Sequence, residues 1–339
     1  MLNLAKLKKF RALFLYYGPR DRNYDGAIKR INECRKLAEN NEIKKFMDEL
    51  KIPESIANDF SAEDLKKLIL NITASEYSPG WSAEKSLDNS LFKGIDKKDS
   101  VNDAKVRTAI SRGIEIMKAS KDPIHDLAHI ARTVNFARHL YDNLHHNLDW
   151  GIIATAVIWH DASRANYLGV LYLYNFKHLR KIPLLQDFNM SEVFFKDAFR
   201  SRLIMKKEFK KIGLDRKFIK TVGSAILGTD NNHLGRKKIT VTKLYQKFTC
   251  DADVLDLFTI GRWECLNRNV VYKGIGDKNF LNRAAILNFI FNIPKIADKV
   301  SFNLTKKIAK LVAETSLAHS KEFYPTDYQF AADALSKFN

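Results

Sequence analysis

His125 and His129 stand four residues apart, His160 and Asp161 are adjacent, and Asp253 lies inside the acidic run Cys250-Asp-Ala-Asp-Val-Leu-Asp256. Imidazole nitrogens and carboxylate oxygens are donors with which proteins hold divalent first-row cations. Two histidines one turn apart share a helix face and can bind such a cation, although that pair alone fits ordinary helix surface better. The His160-Asp161 dipeptide says more. Ile153, Ala156, Val157 and His160 follow the i, i+3, i+4, i+7 rule, which puts His160 at the end of an apolar stripe. A carboxylate beside it is costly to bury unless a metal or strong hydrogen bonds compensate. Asp253 aligns with Cys250, Leu257 and Ile260 in the same manner, its alternative being a buried salt bridge to Arg262 or Arg164, while Asp251 and Asp256 fall on other faces. Together the segments read as three helices presenting ligands to one cation.

Those side chains need helices to carry them. Only 14 Gly and 7 Pro in 339 residues disfavour a turn-rich β protein and point to a mostly α chain. Asp122-Pro123 is a start signal, the Asp capping free N–H groups and the Pro filling the first helical position, so that His125, His129, Arg132, Phe136 and Leu140 share one broad face. Helical patterns also run near 2–16, 24–38, 41–50 and 62–71, with breaks at Gly18-Pro19, Pro53 and Pro79-Gly80. Lys93 to Asp103 reads as a polar linker, and Asn282–Val300, Leu304–Ser320 and Asp327–Phe338 as three more amphipathic helices. The expected division is an N-terminal helical region of unassigned role over 1–105, a metal-binding core over 106–275, and C-terminal helices over 276–339 that complete or cap it.

The order His, then His-Asp, then Asp, over roughly residues 110 to 270, resembles the HD-domain superfamily of metal-dependent phosphohydrolases. Carried over by position, the ligands are His129 in His-Ile-Ala-Arg-Thr-Val, His160 and Asp161 in Ile-Trp-His-Asp, and Asp253 in Asp-Ala-Asp-Val-Leu-Asp. His125-Asp-Leu-Ala-His129 is similar to the bacterial branch in which a second His precedes the ligand by four. The resemblance implies an all-α, HD-type helical bundle with additional N-terminal and C-terminal helices. It also implies one divalent ion (Mn, Fe, Mg or similar) and a nucleotide or other phosphate ester as substrate. Two-metal members need further histidines after the His-Asp pair; only His178 and His233 are available here, so a second metal is not expected.

On that reading Asp161 ligates and orients water, and His125 or His233 protonates the leaving oxygen. Arg132, Arg164, Arg180, Lys181, Arg236 and Lys237 are the candidates for phosphate contact. The formal charge of +18 is concentrated: between Lys177 and Lys247 there are 18 Lys or Arg against 6 Asp or Glu. Such a basic rim attracts anions, although it does not separate a nucleotide from RNA, and a soluble Lys-rich surface needs no ligand at all. Two alternatives stay open: a catalytically silent HD-like module that binds nucleotide or RNA, and an interaction protein acting through its N-terminal region. Three scattered cysteines, Cys34, Cys250 and Cys265, suit a reducing compartment. The basic, interrupted start reads as an amphipathic helix, and no apolar run reaches membrane-spanning length, so no membrane insertion is expected. A cytoplasmic location follows as the expectation, with export into another cell left open and the oligomeric state unassigned.

Overall fold

Capping side chains set where several of the helices begin. Ser61 Oγ accepts from Asp64 N–H at 3.1 Å, Ser82 Oγ from Lys85 N–H at 3.1 Å, and Asp103 and Asp215 each accept from two N–H groups of the turn they open. The structure is a computed structural model that describes residues 24–76, 78, 80–120, 125–144, 147–165, 183–229, 243–264, 291 and 300–338, without the side chains of 183–197. Among them are fourteen α-helices, one 3₁₀ turn and no strand. The class is all-α.

The chain packs as two compact units, Met1–Trp81 with Leu255–Asn339, and Ser82–Val254. The first unit opens with α1 (Tyr24–Glu39), α2 (Ile43–Glu49), α3 (Glu54–Ala57) and α4 (Ala62–Ile72). In α4 the apolar positions Leu65, Leu68, Ile69 and Ile72 bury one face. The second unit holds α5 (Ala83–Phe92), the 3₁₀ turn Ser100–Asn102, α6 (Ala104–Lys118), α7 (Leu127–Leu144), α8 (Trp150–Trp159), α9 (Ala162–Ala165), α10 (Pro183–Ile212) and α11 (Arg216–Ile226). It also takes all but the last two residues of α12 (Leu244–Asp256). The first unit is completed by α13 (Asn303–Phe323) and α14 (Pro325–Phe338).

Helix α8 is the hub of the second unit, with α6, α7 and α11 packed around it. The expected apolar stripe is in fact apolar on almost every side: Trp150, Ile153, Ala154, Ala156, Val157, Ile158 and Trp159 are all fully buried. A helix enclosed by neighbours has no polar face to keep. Close approach by α6 depends on Gly113, where a Cβ would sit 2.6 Å from Ile158 Cγ2, and Trp159 Nε1 donates to the Ala109 carbonyl at 3.0 Å. Asp99 anchors the start of α8, accepting from the N–H of Trp150 at 2.6 Å and of Gly151 at 2.9 Å as well as from Val101 N–H.

Helices expected near 24–38, 41–50, 62–71, 304–320 and 327–338 are present with shifts of a few residues. The pattern near 2–16, and all of 282–300 except Phe291 and Val300, lie outside the described residues. The Lys93–Asp103 stretch is less open than a linker: it contains the 3₁₀ turn and the Asp99 anchor, and the carbonyl of Lys93 accepts from Arg138 Nη1 at 3.1 Å. Helix α5 just before it packs on α7 through Ser90 Oγ and Asn135 Oδ1 at 2.5 Å. Those contacts are why the second unit begins at Ser82 and not near 105. Among the described residues no helix is long and apolar enough to cross a membrane.

Candidate metal centre

Three pieces of the second unit build the site. Helix α7 begins at Leu127, and Asp126 caps it by accepting from His129 N–H at 2.9 Å. The expected cap Asp122 and its Pro123 lie outside the described residues. The later start leaves His125 ahead of the helix, so it shares no helix face with His129; their rings meet edge-on with centroids 5.6 Å apart. His160 is the C-cap of α8, Asp161 follows it, and the turn closes with Arg164 N–H donating to the Asp161 carbonyl at 2.8 Å. Asp253 comes from the last turn of α12, which ends at Asp256, so Leu257 lies beyond the helix that was expected to contain it. Helix α12 is tied to α11 by Gln246 Nε2 donating to the Ser224 carbonyl at 2.9 Å.

His129 Nε2 lies 3.3 Å from His160 Nε2 and 3.3 Å from Asp161 Oδ2, and His160 Nε2 is 3.3 Å from the same oxygen. Asp253 Oδ1 faces both rings, 3.7 Å from His129 Nε2 and 3.4 Å from His160 Nε2. His129, His160 and Asp161 form the tightest group, with ligand atoms within 4.8 Å of one another and all three residues buried.

The hydrogen bonds on the far side of each ring identify what points inward. His160 Nδ1 lies 2.6 Å from the Val157 carbonyl, which can only accept. Its Nδ1 therefore carries a proton, and neutral His160 presents a lone pair at Nε2. Thr133 Oγ1 donates to the His129 carbonyl at 2.9 Å and lies 3.4 Å from His129 Nδ1. With its hydrogen so used, the hydroxyl accepts from Nδ1, and His129 Nε2 is likewise a lone pair. With both rings neutral, two imidazole lone pairs and two carboxylate oxygens converge, a donor set that can hold a cation between its members. Donors that share one ion at bond lengths of about 2.0–2.2 Å stand roughly 2.8–3.1 Å apart in an octahedral and roughly 3.3–3.6 Å apart in a tetrahedral arrangement; four of the observed separations are 3.3–3.4 Å and the fifth, His129 to Asp253, is 3.7 Å.

The same crowding governs protonation when no ion is bound. Burial opposes a charge on His160, but Asp161 and Asp253 outweigh it and hold its pKa well above the usual 6.5. Burial pushes the Asp161 carboxyl up, and His160, His125 and Arg164 outweigh that to hold it well below 3.8. For Asp253 the balance between burial and the same His160 charge leaves the carboxyl at about 2.

Arg164 and His125 line the edge of the cluster. Arg164 Nη1 is 2.7 Å from Nε2 and 2.9 Å from Nδ1 of the His125 ring, and its Nε is 3.5 Å from Asp161 Oδ1. Arg132 is buried inside α7 at 1% exposure. His178, Arg180, Lys181, His233, Arg236 and Lys237 lie outside the described residues. The salt-bridge alternative for Asp253 gives way to its two histidines, and Arg262 pairs instead with Asp256 at 3.1 Å. Thr133 and Asp126 were missed as positioning groups; Thr133, one turn after His129, was within reach of the sequence, whereas the Val157 carbonyl leaves no side-chain signal. Compared with known proteins, the chain matches no family model, no curated protein and no solved structure.

Proposed function

We propose that the second unit is a metal-dependent phosphohydrolase of the HD-domain type, with one divalent ion (Mn, Fe or Mg) held by His129, His160, Asp161 and Asp253. A single observation carries the reading: four acceptor atoms from three separate segments converge at 3.3–3.7 Å, with both Nε2 lone pairs fixed inward by Val157 and Thr133. Such an ion, when bound, supplies Lewis acidity toward water and toward a phosphoryl oxygen. Two carboxylates cancel the charge of a divalent cation, leaving Arg164 as the net positive group beside it, which suits an anionic substrate. The His129 and His160 side chains are 0% and 2% exposed, whereas Asp161, Asp253 and His125 keep 10%, 13% and 14%, so a reacting group enters from the side of the latter three. There Asp161 orients water and Arg164 holds a phosphoryl oxygen, while His125, whose ring accepts from Arg164 Nη1, stands beside them as the acid–base candidate. A nucleotide or another phosphate ester fits this chemistry.

Elemental analysis of the purified protein, paired with a phosphate-release screen of nucleotides and simple esters, tests the reading with wild type and His160→Ala/Asp161→Ala. Stoichiometric metal and turnover, both lost in the variant, are expected. Metal without turnover on any phosphate ester would reduce the site to a structural or binding role, and no metal after reconstitution would remove it.

A further inference from the structure

The inward register of α10 is pinned at four points, and this determines what the helix shows to solvent. Ser201 Oγ accepts from Ser163 N–H at 3.0 Å, Met205 packs where a Cβ on Gly223 would be 3.1 Å away, and Phe209 meets the Trp159 ring edge-on at 5.2 Å. Ala198, Ser201, Met205 and Phe209 are buried. On the outward side Phe199 and Leu203, one turn apart, are 48% and 50% exposed. At about 100° per residue, Lys206 borders that apolar step on one edge and Arg200 and Lys207 on the other, while Arg202 packs its buried Nε toward Gly223.

Charge accumulates along the same hairpin. From Ala198 to Ile226, α10 and α11 with their turn carry nine Lys or Arg against two acidic residues. Both acids are engaged: Glu208 with Lys211 at 2.6 Å and Arg112 at 3.5 Å, and Asp215 with the N–H groups that open α11. Local burial, then the like charges of Arg202 and Lys210, pulls the Lys206 ammonium below its ordinary value. From Ala198 to Ile226 the bases therefore outnumber the acids by seven, and the surface carries a positive field.

We infer that the α10–α11 hairpin is a docking surface for an anionic lipid membrane, with Phe199 and Leu203 entering the headgroup–acyl boundary and the flanking bases meeting lipid phosphates. An apolar step bordered on both edges by long basic side chains is the pattern of a helix lying in a membrane interface. A nucleic acid would satisfy the bases equally well, but it offers the aliphatic Leu203 nothing to bury against, and single strands are gripped by several aromatic platforms where, among the described side chains of α10, the outward face offers Phe199. The surface involves none of the proposed metal ligands, so the inference stands or falls apart from the proposed activity.

Sedimentation of the full-length protein with phosphatidylcholine vesicles, with and without phosphatidylserine, tests it, alongside a single-stranded uridine oligonucleotide. Binding is expected to the phosphatidylserine vesicles only. It should weaken about fivefold for each base reversed in Lys207→Glu/Lys210→Glu and as strongly in Phe199→Ser/Leu203→Ser, with helical circular dichroism unchanged. Vesicle binding that ignores either variant would overturn the assignment. So would oligonucleotide binding that needs the lysines but not Phe199 and Leu203, with no vesicle sedimentation.

Discussion

In the second unit the Nε2 atoms of His129 and His160 and the carboxylates of Asp161 and Asp253 face one another. In the first unit another buried histidine and carboxylate meet differently. His319 Nε2 donates to Glu264 Oε1 at 2.7 Å, and the Tyr324 hydroxyl lies 2.9 Å from each of the Glu264 oxygens. All three residues are 1% exposed or less. Both clusters set histidine against carboxylate in the interior, but the second-unit group has two carboxylates to two rings and its Asp161 and Asp253 side chains keep 10% and 13% exposure. Around Glu264 each donor meets an acceptor, so the group closes on itself and fastens α13 to the segment after α12. At the candidate metal centre two imidazole nitrogens and two carboxylates face one another, and the negative charge is balanced by a proton on His160 or by a bound cation. The contrast lies in the outer ring nitrogens, which at the candidate metal centre face the Val157 carbonyl for His160 and the Thr133 hydroxyl for His129.

The largest expected effect breaks the comparison on the metal side. His160→Ala/Asp161→Ala should lose its stoichiometric metal and reduce phosphate release at least about a thousandfold. Removing the closed cluster should do the reverse. Glu264→Ala leaves two buried donors unsatisfied and is expected to cost about 3 kcal/mol in chemical denaturation while metal content per folded protein stays the same. A loss of metal in that variant would mean the two clusters are not independent. Thr133→Val keeps the shape but frees the His129 ring, and chelator competition should read a roughly 10- to 100-fold loss of metal affinity with little change in melting temperature.

The smallest effect is a pH slope of opposite sign in the two forms. In the metal-free protein the raised pKa of His160 contributes stability that is complete below 6.5 and is lost as pH climbs through the higher folded value. Asp161 and Asp253 act in the other sense, contributing above 3.8 and losing that contribution as pH falls toward about 2 for Asp253. Metal must displace the His160 proton, so affinity should rise with pH through neutrality by about tenfold per unit. Thermal melts from pH 6 to 9 are expected to fall with pH for the stripped protein and to rise for the protein held at limiting metal. Parallel slopes would count against His160 as a ligand.

Much of the fold was open to sequence reasoning because it rests on local rules. Sparse Gly and Pro together with apolar spacing predict α4, α13 and α14 to within a few residues. The metal ligands were legible for a related reason: His160, Asp161 and Asp253 are polar residues inside apolar surroundings, which sequence patterning exposes. Helix α8 misled, since a segment enclosed on nearly all sides carries no periodicity from which to tell its faces apart, and α5 was passed over among polar residues. Glu264 and His319 were missed because they are 55 residues apart and neither lies in a recognisable motif.

By itself, then, the amino-acid sequence determined the helical class, the basic stretch from Lys177 to Lys247, and the identity of the donor residues, all of which depend on composition and short-range spacing. Only the tertiary structure decided that Asp126 caps α7, that His125 falls outside that helix, and that Thr133 and the Val157 carbonyl aim both Nε2 atoms inward. It also decided that Arg262 goes to Asp256, leaving Asp253 to the histidines. Those outcomes turn on which atoms come within about 3 Å of each other, and hydrogen-bond partners at that range are selected by packing between distant segments.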